Sequence, residues 1–345
     1  MDWQKYEEKL KERLGLSKEL LRVMIHKARK RPLKVAYPEG EEEKIIRAAH
    51  LVYIDHMAYP ILLGNEKIIK EKIDRIGFEQ SEFTIIDPAN SDKLAKYSEA
   101  FFSKRARKGA TLSDIGIIMK EPNYFGSMMV ELGDADALIS GLTTNYPTTI
   151  RPALQCVGIR EGFKIVSGLY IVFAKQDVYF FADTTVNVNP TAEQLAEIAV
   201  SAADTVREFD VTPKIAMLSF SNFGSAPYPE SNKVKAATAL VKQRRPDLIV
   251  DGEMQADSAV IPEILEKDFP FSNLKGKANI LIFPDLNSGN IAYKLMARLG
   301  QASVVGPILM GMKKPIHVLQ RGATVDDIIN MTAIAVVEAA SPKKK

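Results

Sequence analysis

The sequence predicts an α/β protein of two domains, each built on a mostly parallel sheet flanked by helices. Three observations carry this expectation. Short apolar runs alternate with stretches of helical spacing along much of the chain, as repeated β–loop–α units require. Several of those runs pass directly into polar loops rich in glycine, serine, threonine or asparagine. The length of 345 residues also exceeds what one compact core usually holds.

In chain order, residues 3–30 read as charged amphipathic helix broken near Gly15, with Ser17 suited to cap the second part. Leu33–Tyr37 reads as a strand, Pro38-Glu39-Gly40 as a turn and Glu41–Tyr53 as a helix. Tyr59–Leu63 reads as a strand, Glu66–Ile76 as a helix and Phe83–Ile86 as a strand. Ala137–Ile139 is an apolar strand running into Ser140-Gly141. Lys164–Phe173 and Val178–Phe181 suit a hairpin turning at Lys175-Gln176-Asp177. Thr191–Phe209 is a long helix, with Pro190 and Thr191 at its start and Glu193 in its first turn. Ile215–Phe220, Leu248–Val250 and Ile280–Phe283 are further strands, and Ala323–Ala340 is the closing helix. The domain boundaries expected are 1–150 with 309–345 for the first domain and 151–308 for an inserted second.

Composition narrows the function. Hydrophobic residues make up 46% and charged residues 26% of the chain, with a net charge of +3. That is ordinary globular composition and gives no basic footprint for nucleic acid. No apolar run approaches the roughly 20 residues that span a bilayer, and the charged opening stretch is unlike a signal peptide. The expectation is a cytoplasmic protein without membrane or nucleic-acid partners. Four histidines and one cysteine argue against a metal site. Cys156, in an apolar stretch, reads as a buried small hydrophobe. Lys343-Lys344-Lys345 reads as a solvated tail.

In an open parallel sheet, ligands bind beyond the carboxyl ends of the strands. The loop from Ser140 through Thr143, Asn145 and Tyr146 to Arg151 offers hydroxyls, backbone N–H groups and a guanidinium to an anion. Ser221-Asn222-Phe223-Gly224-Ser225 suits a phosphate cradle, although it carries no P-loop pattern. Asn287 and Asn290 follow another strand and lead toward Lys294, with helix capping as the plainer role for Asp285 and Asn287. His317, Gln320 and Arg321 precede Thr324 and Asp327, which form a capping-box start to the last helix. Arg105 lies in a basic run that is either a solvated helix face or an anion contact.

These motifs carry a resemblance. Asp251-Gly252-Glu253-Met254-Gln255 together with residues 280–294 resembles the phosphotransacetylase signature. Residues 132–136, Arg151-Pro152-Ala153-Leu154-Gln155 and Gly306-Pro307-Ile308-Leu309 fit the same family, so the resemblance runs from about residue 17 to 340. It implies a phosphotransacetylase fold like that of isocitrate and isopropylmalate dehydrogenases, with a ligand cleft between two domains. It also implies acetyl-CoA or CoA as ligand, no metal, and a homo-oligomer. By motif position it makes Asp327 the catalytic base and Arg321, Arg151 and Arg105 the anion-binding arginines.

Four departures shape the functional expectation. Gln320 stands where active members carry serine. His317-Val318 replaces Asn-Asp, and Asn222-Phe223 replaces Thr-Lys. Tyr146-Pro147 replaces a small, glycine-containing stretch. With Asn145-Tyr146-Pro147, residues 181–187, 221–225 and 315–320, the chain looks most like the regulatory domain of hybrid NADP-dependent malic enzymes. That resemblance implies an acetyl-CoA sensor without acetyl transfer, inhibiting an N-terminal malic enzyme partner. The alternative is an active phosphate acetyltransferase using the retained Asp327 and arginines.

Overall fold

The computed structural model describes residues 19–174 and 177–341. The helix reading over residues 3–18, the break at Gly15, the Ser17 cap, the hairpin turn at Lys175-Gln176 and the lysine tail lie outside the described residues. The described residues divide into two compact units, 24–161 with 312–341 and 162–311 with 19–23.

Helix α1 covers 19–30. The first unit then runs β1 (Leu33–Tyr37), α2 (Glu43–Ile54), β2 (Ala58–Leu63), α3 (Glu66–Ile76), β3 (Thr84–Ile86), α4 (Leu94–Arg105), α5 (Leu112–Ile118), α6 (Pro122–Leu132), β4 (Ala137–Ser140) and α7 (Tyr146–Cys156). The second unit contributes β5 (Ser167–Ala174), β6 (Asp177–Ala182), α8 (Ala192–Glu208), β7 (Lys214–Leu218), α9 (Pro229–Arg244), β8 (Ile249–Met254), α10 (Ala256–Val260), α11 (Pro262–Asp268), β9 (Ile280–Ile282), α12 (Leu286–Arg298) and β10 (Ser303–Met310). The chain returns to the first unit for β11 (Ile316–Val318) and α13 (Val325–Ala340).

The first unit holds a five-stranded sheet in the order β11-β4-β1-β2-β3, parallel throughout. Helices cover both faces of such a sheet, so its strands read as continuous apolar runs. All four residues of β4 are buried, as are Val35, Ala36 and Tyr37 of β1. Tyr37 packs in the core, where its hydroxyl shares a hydrogen bond with Thr332 of α13. The second unit holds a six-stranded sheet, β10-β5-β6-β9-β7-β8, in which β10, β5 and β6 pair antiparallel and the remaining strands parallel. The β5–β6 pairing is the expected hairpin. No helix of the described residues is long and apolar enough to cross a membrane.

One local expectation is corrected. The stretch from Ser140 to Arg151, read as a loop, becomes helix from Tyr146 onward. Asn145 caps α7 by accepting the Thr148 N–H, and Pro147 sits in the first turn, where a missing N–H costs nothing.

The second unit carries a buried charge that ties stability to pH. Asp251 of β8 accepts hydrogen bonds from Lys242 Nζ at 2.7 Å and from Ser272 Oγ and the Asn273 N–H, each at 2.8 Å. Burial pushes its carboxyl up, but these three donors overcome that and hold it below the ordinary aspartate value of 3.8. A carboxyl depressed on folding contributes stability above its unfolded pKa, and this is lost as pH falls through the folded value. Asp251→Asn is therefore expected to cost the second unit about 2–3 kcal/mol near neutral pH. Its deficit relative to the native chain should narrow in melts taken toward about pH 3. A deficit that stays constant with pH would contradict the ionised pairing.

Candidate active site

The strand order places a topological switch in the first sheet. From β1 the chain moves to β2 and β3 on one side, then returns to β4 on the other. Ligands of open parallel sheets settle in the crevice that opens where neighbouring connections diverge in this way. Here that crevice lies between Glu39, just after β1, and residues 141–145, just after β4. The next loop along, after β11, lies against the second: Leu319 N–H donates to Ser140 O at 2.7 Å. Gly141 has φ +104°, and a Cβ there would meet Val318 Cγ1 at 2.8 Å and the Leu319 backbone at 3.1 Å. Glycine is what lets the two loops approach.

The β4 loop was expected to offer backbone N–H groups to an anion. It does so to Glu39. One Glu39 oxygen accepts from Gly141 N at 2.8 Å and Leu142 N at 2.7 Å. The other accepts from Thr143 N at 2.7 Å, Thr143 Oγ1 at 2.6 Å and Thr144 N at 3.3 Å. Ser140, fully buried, lies 3.5 Å from the first oxygen. Glu39 was not singled out from the sequence, yet the same rule, applied to the turn after the first strand, points to it.

The β11 loop brings Gln320, Arg321 and Asp327 into one turn and the helix start that follows. Ala323 N–H donates to Gln320 O, and Lys44 Nζ, from the start of α2, donates to Ala323 O at 3.0 Å. Thr324 caps α13: Asp327 Oδ2 accepts from the Thr324 N–H at 2.9 Å and from its hydroxyl at 2.8 Å. The capping box expected from sequence is formed, and it engages one carboxylate oxygen only. Arg321 is exposed beside it.

Burial pushes the phenol of Tyr124 on α6 up, Cys156 and Glu121 add to this, and the guanidiniums of Arg151 on α7 and Arg105 at the end of α4 oppose it. Tyr124 donates to Gln155 Oε1 at 3.0 Å. Tyr124 had no distinguishing signal in the sequence, because a tyrosine at helical spacing reads as core. Arg105, Arg151 and Arg321 are in ion pairs with no carboxylate of the described residues.

The remaining candidates belong to the second unit, again at the carboxyl ends of parallel strands. The loop after β7 is closed on itself. Asn222 N donates to Ser225 Oγ at 3.0 Å, Ala226 N to Ser221 Oγ at 3.1 Å, and Asn222 Oδ1 accepts from Gln255 N at 2.8 Å. Glu253 of β8 lies beneath it, almost wholly buried. One oxygen accepts from Ser221 Oγ and from Gly224 N, and the other has no hydrogen-bond partner. After β9, Asp285 caps α12 through the Ser288 N–H at 2.9 Å, which fulfils the plainer role read for it. Asn287 is exposed in the first turn, Asn290 Nδ2 donates to Thr184 O at 3.1 Å, and Lys294 is exposed.

Three of the four departures prove to have local structural work. His317 and Val318 are buried within β11 and pair with β4. Phe223 packs on Phe269 and Phe271 at ring distances of 5.0 and 4.9 Å. Tyr146 and Pro147 form the first turn of α7. Only Gln320 is an exposed replacement in a strand-end loop. Cys156 is buried, as the buried small hydrophobe read from the sequence requires, and burial pushes its thiol well above the ordinary range. Among the described residues there is no group of three or more His, Cys, Asp or Glu able to hold a metal.

Comparison with known proteins places this arrangement. The family model described as phosphate acetyl/butaryl transferase matches residues 19–336. A phosphate acetyltransferase of Thermoanaerobacterium thermosaccharolyticum is 41% identical over 327 residues, covering 93% of this chain and 99% of that protein. A phosphate acetyltransferase of Nitratidesulfovibrio vulgaris is 40% identical over 93% of this chain, which spans about half of that relative's length, 46%. The crystal structure of a phosphotransacetylase from Streptococcus pyogenes matches with a TM-score of 0.90 at 39% identity, covering 93% of this chain and 98% of that one. These relatives overturn the expectation of a malic-enzyme regulatory domain. The N-terminal malic enzyme partner, the allosteric inhibition and the oxidoreductase parent go with it. Of the departures that suggested them, His317 and Val318 are buried in β11 and Phe223 packs on two other phenylalanines. Matched over nine-tenths of its length at about 40% identity, the chain belongs to the phosphate acetyl/butaryl transferase family.

Proposed function

We propose that this chain is a phosphate acetyltransferase, moving an acetyl group reversibly between the sulfur of CoA and inorganic phosphate. The observation that carries the reading is the carboxylate and the three guanidiniums of the first unit. Asp327 has one oxygen engaged by its cap and the other uncommitted. Arg321 lies in the same loop, and Arg151 and Arg105 share the surroundings of Tyr124. The chemistry needs a base for the thiol and cationic donors for the phosphate. In the direction of acetyl-CoA synthesis, Asp327 takes the thiol proton and the sulfur attacks the acetyl carbonyl of acetyl phosphate. The C–S bond forms, the C–O bond to phosphorus breaks, and phosphate leaves with the electron pair, held by the guanidiniums. In the second unit, Ser221, Asn222, Phe223, Gly224, Ser225, Asn287, Asn290 and Lys294 remain proposed ligand contacts.

Purified protein mixed with CoA and acetyl phosphate is expected to form the thioester, followed by its ultraviolet absorbance, at a kcat within the common enzyme range of about 1–1000 per second. Thioester formation no faster than the protein-free control would overturn the assignment.

A further inference from the structure

The crevice at the topological switch is filled by a side chain, and this bears on where the anionic substrate binds. Four consecutive backbone N–H groups, from Gly141 to Thr144, converge on the carboxylate of Glu39 together with the Thr143 hydroxyl. Converging N–H groups of this kind form an anion-binding concavity. Its natural guest would be a phosphate, but a carboxylate with five donors within 3.3 Å holds the place. A phosphate dianion beside that carboxylate would meet like charge at short range.

We propose that Glu39 is a positioning residue for acetyl transfer: its carboxylate occupies this nest and so fixes the segment that places Arg151 for the anion substrate. This rests on the phosphate acetyltransferase reading. The mechanical link is short. Thr144, the last residue whose N–H reaches Glu39, shares a hydrogen bond through its hydroxyl with Thr149 of α7 at 2.8 Å. The next residue, Asn145, caps α7, and Arg151 follows six residues later. Glu39 itself leaves β1 through Pro38, so its backbone is anchored in the central strand of the sheet. The carboxylate thus ties the ends of β1 and β4, the two strands that flank the switch.

Glu39→Gln is nearly isosteric and tests this. An amide has one acceptor oxygen and one NH2, so either Gly141 and Leu142 or Thr143 and Thr144 would face a donor. The variant is expected to raise the KM for inorganic phosphate about 10-fold or more, with the KM for CoA within about twofold of the native value. Glu39→Asp keeps the charge but is one methylene short, and should recover part of the phosphate KM. A general loss of folding would move both KM values and the melting temperature together, and that result would overturn the positioning role. An unchanged phosphate KM would overturn it as well.

Calorimetry with inorganic phosphate separates this proposal from the assignment of activity. If the native chain forms no thioester, the catalytic reading fails, yet its phosphate affinity can still be compared with that of the variant. Binding about 10-fold weaker in Glu39→Gln supports the positioning role. Equal or tighter binding overturns it, because the nest would then be a phosphate site that Glu39 merely blocks. Absence of phosphate binding in the native chain also overturns it.

Discussion

Asp327→Asn is expected to lower kcat for acetyl transfer by about 10²–10⁴-fold, with little change in melting temperature. The two halves of this expectation come from two oxygens. Oδ2 accepts from the Thr324 N–H and hydroxyl and so closes the first turn of α13. An asparagine carbonyl oxygen can take over both bonds, so the cap survives, and a cap is worth only about 1 kcal/mol in any case. The proton acceptor is lost, since an amide is no base in this pH range. Initial rates with CoA and acetyl phosphate, set beside thermal melts of both chains, make the measurement. If the variant keeps more than about a tenth of native kcat, which is less than the range expected for removing a general base, Asp327 serves the helix alone.

How much of this was legible beforehand depends on the range of the signal. Strand and helix periodicity are local, and the alternation from Leu33 to Ile86 appears in the structure as β1, α2, β2, α3 and β3. The capping box at Thr324 is local as well, a side chain and a residue three positions on. The family was legible because several motifs recur in order along the chain. A replacement misleads when its neighbours in space are unknown. Val318 looked like an erased polar group, but a strand paired with β4 and wholly buried favours an apolar side chain there. Phe223 looked like a lost lysine, but two other phenylalanines surround it, from 46 and 48 residues further on. The same holds for Glu39: its five donors lie about 100 residues away, and nothing in Pro38-Glu39-Gly40 announces them. The start of α7 was missed because three hydroxyls and a proline in sequence look like a loop until Asn145 is seen to cap them.

Arg321→Gln is expected to lower kcat/KM for phosphate by about 10²–10³-fold, a loss of roughly 3–4 kcal/mol of transition-state stabilisation, without measurable loss of stability. The stability half follows from exposure. Arg321 sits in the turn between β11 and α13, and its guanidinium is not part of an ion pair with any carboxylate of the described residues. Removing it leaves no buried charge uncompensated. The kinetic half follows from geometry and charge. The turn is held on both sides, by Lys44 on the Ala323 carbonyl and by Leu319 on Ser140, so the guanidinium extends from a fixed base. A planar fork fits two phosphate oxygens at once, whereas an ammonium offers a single point of charge. Arg321→Lys should therefore recover only part of the loss, and Arg321→Gln almost none. Gln320 sharpens the comparison, because it is the departure exposed in the same loop. If the catalytic groups suffice without a serine there, Gln320→Ser changes kcat far less than Arg321→Gln does. A Gln320→Ser variant gaining 100-fold or more would mean that the native loop is crippled at that position, and the acetyl transfer assigned to this chain would then be vestigial.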